Sequence, residues 1–359
     1  MDTADSRINL VVIFGGQSAE HDVSCVTASH VLRAANPRKY RTIPIAISRT
    51  GEWSLPTFTE LPSGGVDPTH LPSRLDATGV LTSQAVVATT ASSGPTVVMP
   101  LVHGPLGEDG TLQGLLEITG VAYVGSGVLA SAIAMDKAMA KNVFAQSGIP
   151  QCKFVSIRDD SISPNTLASI ADDLGFPIFV KPANMGSSVG VSKANNIEEL
   201  QLAVSHAAQY DEWIVCEEAV IGRELEVAVI GNRSPRASVV GEIIPGNDFY
   251  DYEDKYVTDS ATLMIPAQLT PQQSDELRQL ALRAYEALRC EGMARVDFFF
   301  EENGRGFLCN EINTIPGFTP ISMYPKMWEA SGMGYSDLID ELVMHAQERH
   351  SRRKRNTSR

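Results

Sequence analysis

Two residue pairs near the C-terminal end carry the clearest chemistry in this chain. Arg295 and Asp297 sit two apart, as do Glu311 and Asn313, each pair in an apolar run (VDFFF, then FLCNEI). Side chains two apart on a strand point to one face. Between the runs, Glu302-Asn303-Gly304-Arg305-Gly306 is a turn signal, so the stretch reads as a hairpin. It would present three oxygen ligands, from Asp297, Glu311 and Asn313, beside one guanidinium. Such oxygens suit a hard cation like Mg2+, which binds through a few carboxylates plus substrate phosphates. The bland alternative is polar residues flanking a buried strand. The register stays open, because one bulge would turn every side chain to the other face.

The rest of the chain supplies what a metal–triphosphate site still lacks. Lys181 ends the run FPIFVKP, just before the small-residue stretch ANMGSSVGV with Ser187 and Ser188. Backbone N–H groups and hydroxyls in such a loop can fold over phosphates. An ordinary hairpin with a surface lysine is the competing reading, and the Walker pattern GxxxxGK[ST] is absent. The acids Glu217 and Glu218 follow the apolar run WIVC, with Glu224 shortly after. They read either as a sheet edge or as a connector whose backbone meets an adenine, with Glu224 on ribose hydroxyls. The segment 247–259 (NDFYDYEDKYVTD) lacks helical period and suits a closing lid, with Lys255 and Tyr256 able to reach a ligand. The turn NTIPGF, containing Gly317, can aim a backbone N–H at developing negative charge.

These groups need elements to hold them. The run LVVIF at 10–14, followed by Gly15-Gly16 and an amphipathic stretch from Val23 to Ala35, opens a βαβ unit. The GxGxxG fingerprint is missing, which disfavours a dinucleotide-dependent dehydrogenase. Glu20 stands at the helix start, where it either complements the macrodipole or reaches a ligand above the sheet. Strands follow at 42–47 and 97–102, the latter delivering HGPLGEDG. Glycines around His103 and Glu108 suggest close backbone approach to a ligand, though His103 reads equally as a structural histidine. Residues 51–95, rich in Pro, Ser, Thr and Gly, read as an irregular surface insertion. Residues 128–147 read as one helix, with Lys137 and Lys141 on a common face that is ordinarily solvated. The stretch 271–289 is an amphipathic helix, and 335–349 is the final one.

Composition agrees with a water-soluble protein: 359 residues, 43% hydrophobic, 20% charged, net charge −14. That charge argues against a general nucleic-acid partner. No apolar run suggests a signal peptide or a membrane span, so a cytoplasmic location and no membrane partner are expected. Five scattered cysteines without CxxC spacing fit buried small hydrophobes in a reducing compartment. The segment 349–359 holds six Lys/Arg and no acid, and reads as a disordered basic tail.

Together the segments GGQSAEHDVS, HGPLGEDGTLQG, YVGSGVLASAIAMDK, VKPANMGSSVGV, EEAVIGRELEVAV, FYDYEDKY, ARVDFF and NEINTIPGFT resemble the D-alanine–D-alanine ligases of the ATP-grasp superfamily. The resemblance implies an α/β (α+β) three-domain fold, with an N-terminal Rossmann-like parallel sheet and two domains whose antiparallel sheets clasp ATP. The expected divisions are 1–135, 136–235 and 236–348. It implies ATP-dependent joining of two D-alanines through a D-alanyl phosphate. Lys137, Lys181 and Lys255 would bind ATP phosphates, with Ser187 and Ser188 in the phosphate loop. Glu217, Glu218 and Val220 would line the adenine pocket, and Glu224 the ribose. Relatives often have Lys at the position of Glu218, which leaves its backbone role. Asp297, Glu311 and Asn313 would hold two Mg2+ (or Mn2+) ions, with a monovalent cation such as K+ a further candidate. Glu20, linked to Ser187 and Tyr256, would hold the first substrate's ammonium near His103. Arg295 and the Gly317 N–H would stabilise the oxyanion, and Ser322 with the Met323 backbone would grip the second carboxylate. A homodimer is implied. Tyr256 matches the dipeptide-forming branch; D-alanine–D-serine or D-alanine–D-lactate ligases, and a non-catalytic ATP-binding regulator, are the alternatives.

Overall fold

The computed structural model describes residues 6–55, 94–244 and 262–353. In chain order, β1 (Ile8–Gly15), α1 (His21–Ala34), β2 (Tyr40–Ile47), β3 (Trp53–Ser54), β4 (Thr96–Pro100), α2 (Thr111–Thr119) and β5 (Ala122–Tyr123) build a first sheet ordered β3-β2-β1-β4-β5. Its pairs are parallel except β2–β3. The run at 10–14 explains why β1 is central. Leu10, Val12 and Phe14 pack into one core while Val11 and Ile13 pack into another on the opposite face. That is the period of a strand buried on both sides. Of the expected 51–95 insertion, all but its ends lies outside the described residues.

The single helix expected over 128–147 is two. α3 (Val128–Met135) stops at Asp136, whose side chain accepts from the Met139 N–H and caps α4 (Lys137–Gln146). The Lys137 N–H crosses to the Ala183 carbonyl at 3.1 Å, tying the break to the next sheet.

That sheet comprises β6 (Phe154–Arg158), β7 (Ile178–Pro182), β8 (Ser192–Ala194) and β9 (Trp213–Glu218), ordered β6-β9-β7-β8 and wholly antiparallel. The helices α5 (Pro164–Leu174) and α6 (Ile197–Ala207) cover one face through Leu167, Ile170, Leu200 and Val204.

The third sheet takes β10 (Arg223–Gly231), β11 (Arg236–Ile244), β12 (Thr262–Met264), β13 (Gly292–Glu301) and β14 (Gly306–Asn313), ordered β12-β11-β10-β13-β14. The division expected at 235/236 cuts the β10–β11 pair, because β10 finds its ladder partners here and not in the central sheet. Leu225, Val227 and Val229 alternate inward onto α7 (Pro271–Ala287) through Leu277, Leu280, Ala281 and Ala284. The opposite face carries Ala228 and Ile230, which share a core with the first sheet, α8 (Met323–Ala330) and α9 (Tyr335–Arg353).

α9 also corrects the expected tail. The helix runs to Arg353, and Arg349 is buried, 3% exposed. Its guanidinium lies 3.9 Å from the Tyr123 ring centroid and donates to the Gly125 carbonyl. Arg352 pairs with Glu291 and Arg353 with Glu117. These basic residues are held in place because Glu117 of α2, Tyr123 and Gly125 at the end of β5, and Glu291 just ahead of β13 supply their acceptors. All five cysteines are free and buried. No described helix is long and apolar enough to cross a membrane.

Candidate active site

The three sheets meet around one cavity of about 1710 Å³. Every residue given a site role from sequence lines it except Lys255 and Tyr256, which lie outside the described residues; Lys141 lies behind the lining.

The third-sheet wall is the hairpin β13–β14. Arg295 faces Asn313 and Asp297 faces Glu311 across the ladder; Asn310 is an extra residue where the register shifts. That bulge is the register device left open from sequence. Arg295 donates through Nε and Nη2 to both oxygens of Asp297, each at 2.7 Å, and Nε lies 3.1 Å from Glu226 Oε2. Burial opposes the guanidinium charge, but Asp297 and then Glu226 more than offset it and hold Arg295 cationic. Asn313 Nδ2 donates to Asp297 at 3.0 Å. Among the described residues no three His, Cys, Asp or Glu form a closed cage. Two carboxylates and an amide opening onto a cavity are the incomplete oxygen set that suits Mg2+ finishing its shell on phosphate and water. The donor chemistry therefore fits that ion.

The central sheet supplies the lysines. Phe179 and Lys181 of β7 alternate away from the covered face, opposite Glu217 and Val215 of β9. Lys181 Nζ lies 2.7 Å from Glu217 Oε2, and Lys141 Nζ 3.0 Å from Glu217 Oε1. Burial works against the Glu217 charge, yet Lys141 and Lys181 outweigh it and hold the carboxyl at about 2. Lys141 is 1% exposed, not on a solvated stripe as the unbroken helix suggested. The break at Asp136 turns α4 so that Lys141 points inward. Lys137 donates to the Met185 carbonyl at 2.6 Å and stands 3.8 Å from Glu311. Burial lowers its pKa, and Glu311 acts in the opposite sense.

Ser187 and Ser188 adopt positive φ, 48° and 59°, conformations that cost free energy and collect at ligand-binding loops. The Glu218 side chain is taken by the Lys153 N–H at 2.7 Å and by Arg305. Val220 and Glu224 line the cavity as well.

The first sheet delivers Glu20 and His103. Ser187 Oγ donates to Glu20 Oε1 at 2.5 Å, joining residues far apart in sequence. Gly104 and Gly186 flank this carboxylate so closely that a Cβ on either would lie within 3.0 Å of Glu20 Oε2. The buried His103 ring shares a hydrogen bond between Nδ1 and the Ile315 carbonyl at 3.1 Å, while Nε2 has no partner among the described residues. Burial lowers the His103 pKa, with Glu20 and the carbonyl pulling it upward. Glu108 accepts the Gly104 N–H at 2.6 Å, and burial, followed by the Glu20 charge, pushes its pKa to about 8.

Ser322 precedes α8 and Met323 begins it; Ser322 Oγ accepts from the Thr319 N–H at 3.1 Å. The helix N-terminus there favours a carboxylate. Gly317 lies against this turn, where a Cβ would meet Ser322 Oγ at 3.1 Å.

Sequence reasoning placed Lys141 on a solvated face, named Glu108 without a role of its own, and missed Glu226 altogether. The alternation RELEVAV held a signal for the last, since Glu224 and Glu226 share the face opposite Leu225, Val227 and Val229.

Comparison with known proteins gives two family models: "D-ala D-ala ligase N-terminus" matches residues 9–126 and "D-ala D-ala ligase C-terminus" residues 143–344. The D-alanine–D-alanine ligase of Bacillus velezensis is 46% identical, covering 94% of this chain and 98% of its own. That of Geobacillus kaustophilus is 45% identical over 94% of each. Among solved structures, the D-alanine–D-alanine ligase from Coxiella burnetii superposes with a TM-score of 0.80 at 33% identity, covering 97% and 96%. The VanG D-Ala:D-Ser ligase from Enterococcus faecalis gives 0.82 at 33%, covering 95% and 99%.

Proposed function

The chain belongs to the D-alanine–D-alanine ligase family, and from that premise we propose that it joins two D-alanines at the expense of ATP, for peptidoglycan precursors in the cytoplasm. The observation that carries this reading is convergence: residues from all three sheets meet in one cavity, with Glu20 and Ser187 hydrogen-bonded across it.

ATP lies between the central and third sheets, its base beside Glu217, Glu218 and Val220 and its ribose near Glu224. Lys137 and Lys181, with Ser187 and Ser188, receive its phosphates. Lys255 and Tyr256 belong to the closing segment. Two Mg2+ (or Mn2+) ions, held by Asp297, Glu311 and Asn313, would neutralise charge on the transferring phosphoryl group; a monovalent cation such as K+ remains a candidate activator. Glu20 holds the ammonium of the first D-alanine beside His103, fixing its carboxylate for in-line attack on the γ-phosphorus. ADP leaves and an acyl phosphate forms. Ser322 and the Met323 N–H hold the carboxylate of the second D-alanine, whose amine, after losing a proton, attacks the acyl carbon. Arg295 and the Gly317 N–H stabilise the tetrahedral oxyanion, each such donor being worth about 3 kcal/mol. The bond to phosphate breaks and the dipeptide forms. The acyl phosphate would hydrolyse in water, which is why a lid is needed. A homodimer is part of the same reading.

A second reading follows from the VanG likeness: D-serine as the second substrate. One hydroxyl is a small difference for a pocket to reject. Phosphate release is measured with ATP, Mg2+ and D-alanine, beside mixtures of D-alanine with D-serine or D-lactate, with products weighed by mass spectrometry. D-alanine alone yields ADP and dipeptide. Release only in a mixture moves the chain to a sister ligase, and no release with ATP still bound leaves a regulator.

A further inference from the structure

Asp297 faces two demands. Both its oxygens now accept from Arg295, and Asn313 donates to it as well. The proposed reaction also asks Asp297 to ligate a metal ion, which competes for the same lone pairs. Were Asp297 the sole anchor, metal loading would loosen Arg295 just when its position matters.

A second carboxylate stands beside it. Glu226 of β10 lies directly opposite Asp297 in the ladder, and Asp297 opposite Glu311. Three carboxylates thus form a row across three neighbouring strands. Like charges placed opposite one another destabilise a sheet, and Glu226 is only 5% exposed. A strand position serving packing alone would carry an apolar side chain. Arg295 is one charge that offsets Glu226: its Nε lies 3.1 Å from Oε2 as an ion pair, while the Nε–H itself donates to Asp297 and leaves Oε2 without a hydrogen bond among the described residues.

We propose that Glu226 is a positioning residue for Arg295, retaining the Nε edge of the guanidinium when Asp297 turns to the metal and leaving the Nη groups for the oxyanion. The planar guanidinium suits this division, because its donors are fixed in a fork. The proposal rests on the reactive roles given to Arg295 and Asp297 above.

The test is a double-mutant cycle in the full chain. Glu226→Gln lowers kcat 10- to 100-fold while KM for ATP stays within about threefold. In the Arg295→Ala background the same change alters kcat less than twofold. Mn2+ titration of the enzyme with a non-hydrolysable ATP analogue, followed by electron paramagnetic resonance, supplies a readout that needs no turnover. Glu226→Gln weakens Mn2+ binding several-fold, because Arg295 then competes fully for Asp297, and Arg295→Ala abolishes that difference. Should Glu226→Gln fail to fold, Glu226→Asp keeps the charge but withdraws it from Nε, and shows the same loss of kcat. A kcat within twofold of the parent, or equal losses in both backgrounds, overturns the proposal. A parent without turnover refutes the ligase reading instead, and the Mn2+ titration still decides this one.

Discussion

Replacing Lys141 with Met tests the charge logic of the site through stability. Lys141 and Lys181 each hold one oxygen of Glu217; Lys141 and Glu217 are buried, and Lys181 lines the cavity. A carboxyl held at about 2 against its ordinary 4.5 carries about 3 kcal/mol at neutral pH, at roughly 1.4 kcal/mol per pH unit. Removing one partner of a buried pair costs about 3–5 kcal/mol in general. Lys181 remains in Lys141→Met, so a loss of about 2–3 kcal/mol is expected at pH 7. The sign with pH follows from linkage. In the parent the folded pKa is depressed, so the contribution is complete above about 4.5 and fades as pH falls toward 2. In the variant the folded pKa rises, and less is lost on acidification. In acid the parent must also bury Lys141 against a neutral carboxyl. The gap between the two proteins is therefore largest at pH 7 and narrows toward pH 3. Urea unfolding at pH 7, 5 and 3.5, followed by circular dichroism, measures it. A gap below 1 kcal/mol at pH 7, or one unchanged at pH 3.5, would refute the reasoning.

Three further outcomes are expected. Arg295→Ala leaves ATP binding within a few-fold by calorimetry but lowers kcat by about 10²–10³; turnover within a few-fold of the parent would remove the oxyanion role. Glu20→Gln raises KM for the first D-alanine more than KM for ATP, whereas parallel increases would show that Glu20 does not hold the ammonium. Glu108 has its folded pKa raised to about 8, so from about pH 4.5 the unfolded chain ionises while the fold keeps this carboxyl neutral, and stability falls until it levels off above about 8. Glu108→Gln flattens that fall in melting temperature, and an unchanged slope would discount the burial of its charge.

The hairpin β13–β14 was legible because strand alternation displays its residue pairs, and β1 because a run apolar at every position must be buried on both faces. What escaped was set by distant contacts. The helix over 128–147 keeps its periodicity through Asp136, so only the cap on Met139 and the link to Ala183 reveal the break. Lys141 looked solvated for the same reason. The residues from Arg349 to Arg353 looked disordered because their acceptors, Tyr123, Gly125, Glu117 and Glu291, lie far away in sequence. The bulge at Asn310 leaves no local mark. The family resemblance supplied residue roles that spacing alone left divided between ordinary and functional readings.

The five buried cysteines have a use beyond packing. Burial pushes the thiols of Cys25, Cys216 and Cys290 up to about 12, leaving almost no reactive thiolate in the native state. They are spread over the architecture: Cys25 in α1 beside the first sheet, Cys152 and Cys216 in the central unit, Cys290 and Cys309 in the third. Alkylation at any of them therefore times the local opening of its own unit. A pulse of thiol reagent with peptide mapping reads three clocks in one unmodified chain, and shows whether the sheets around the cavity loosen together or in turn.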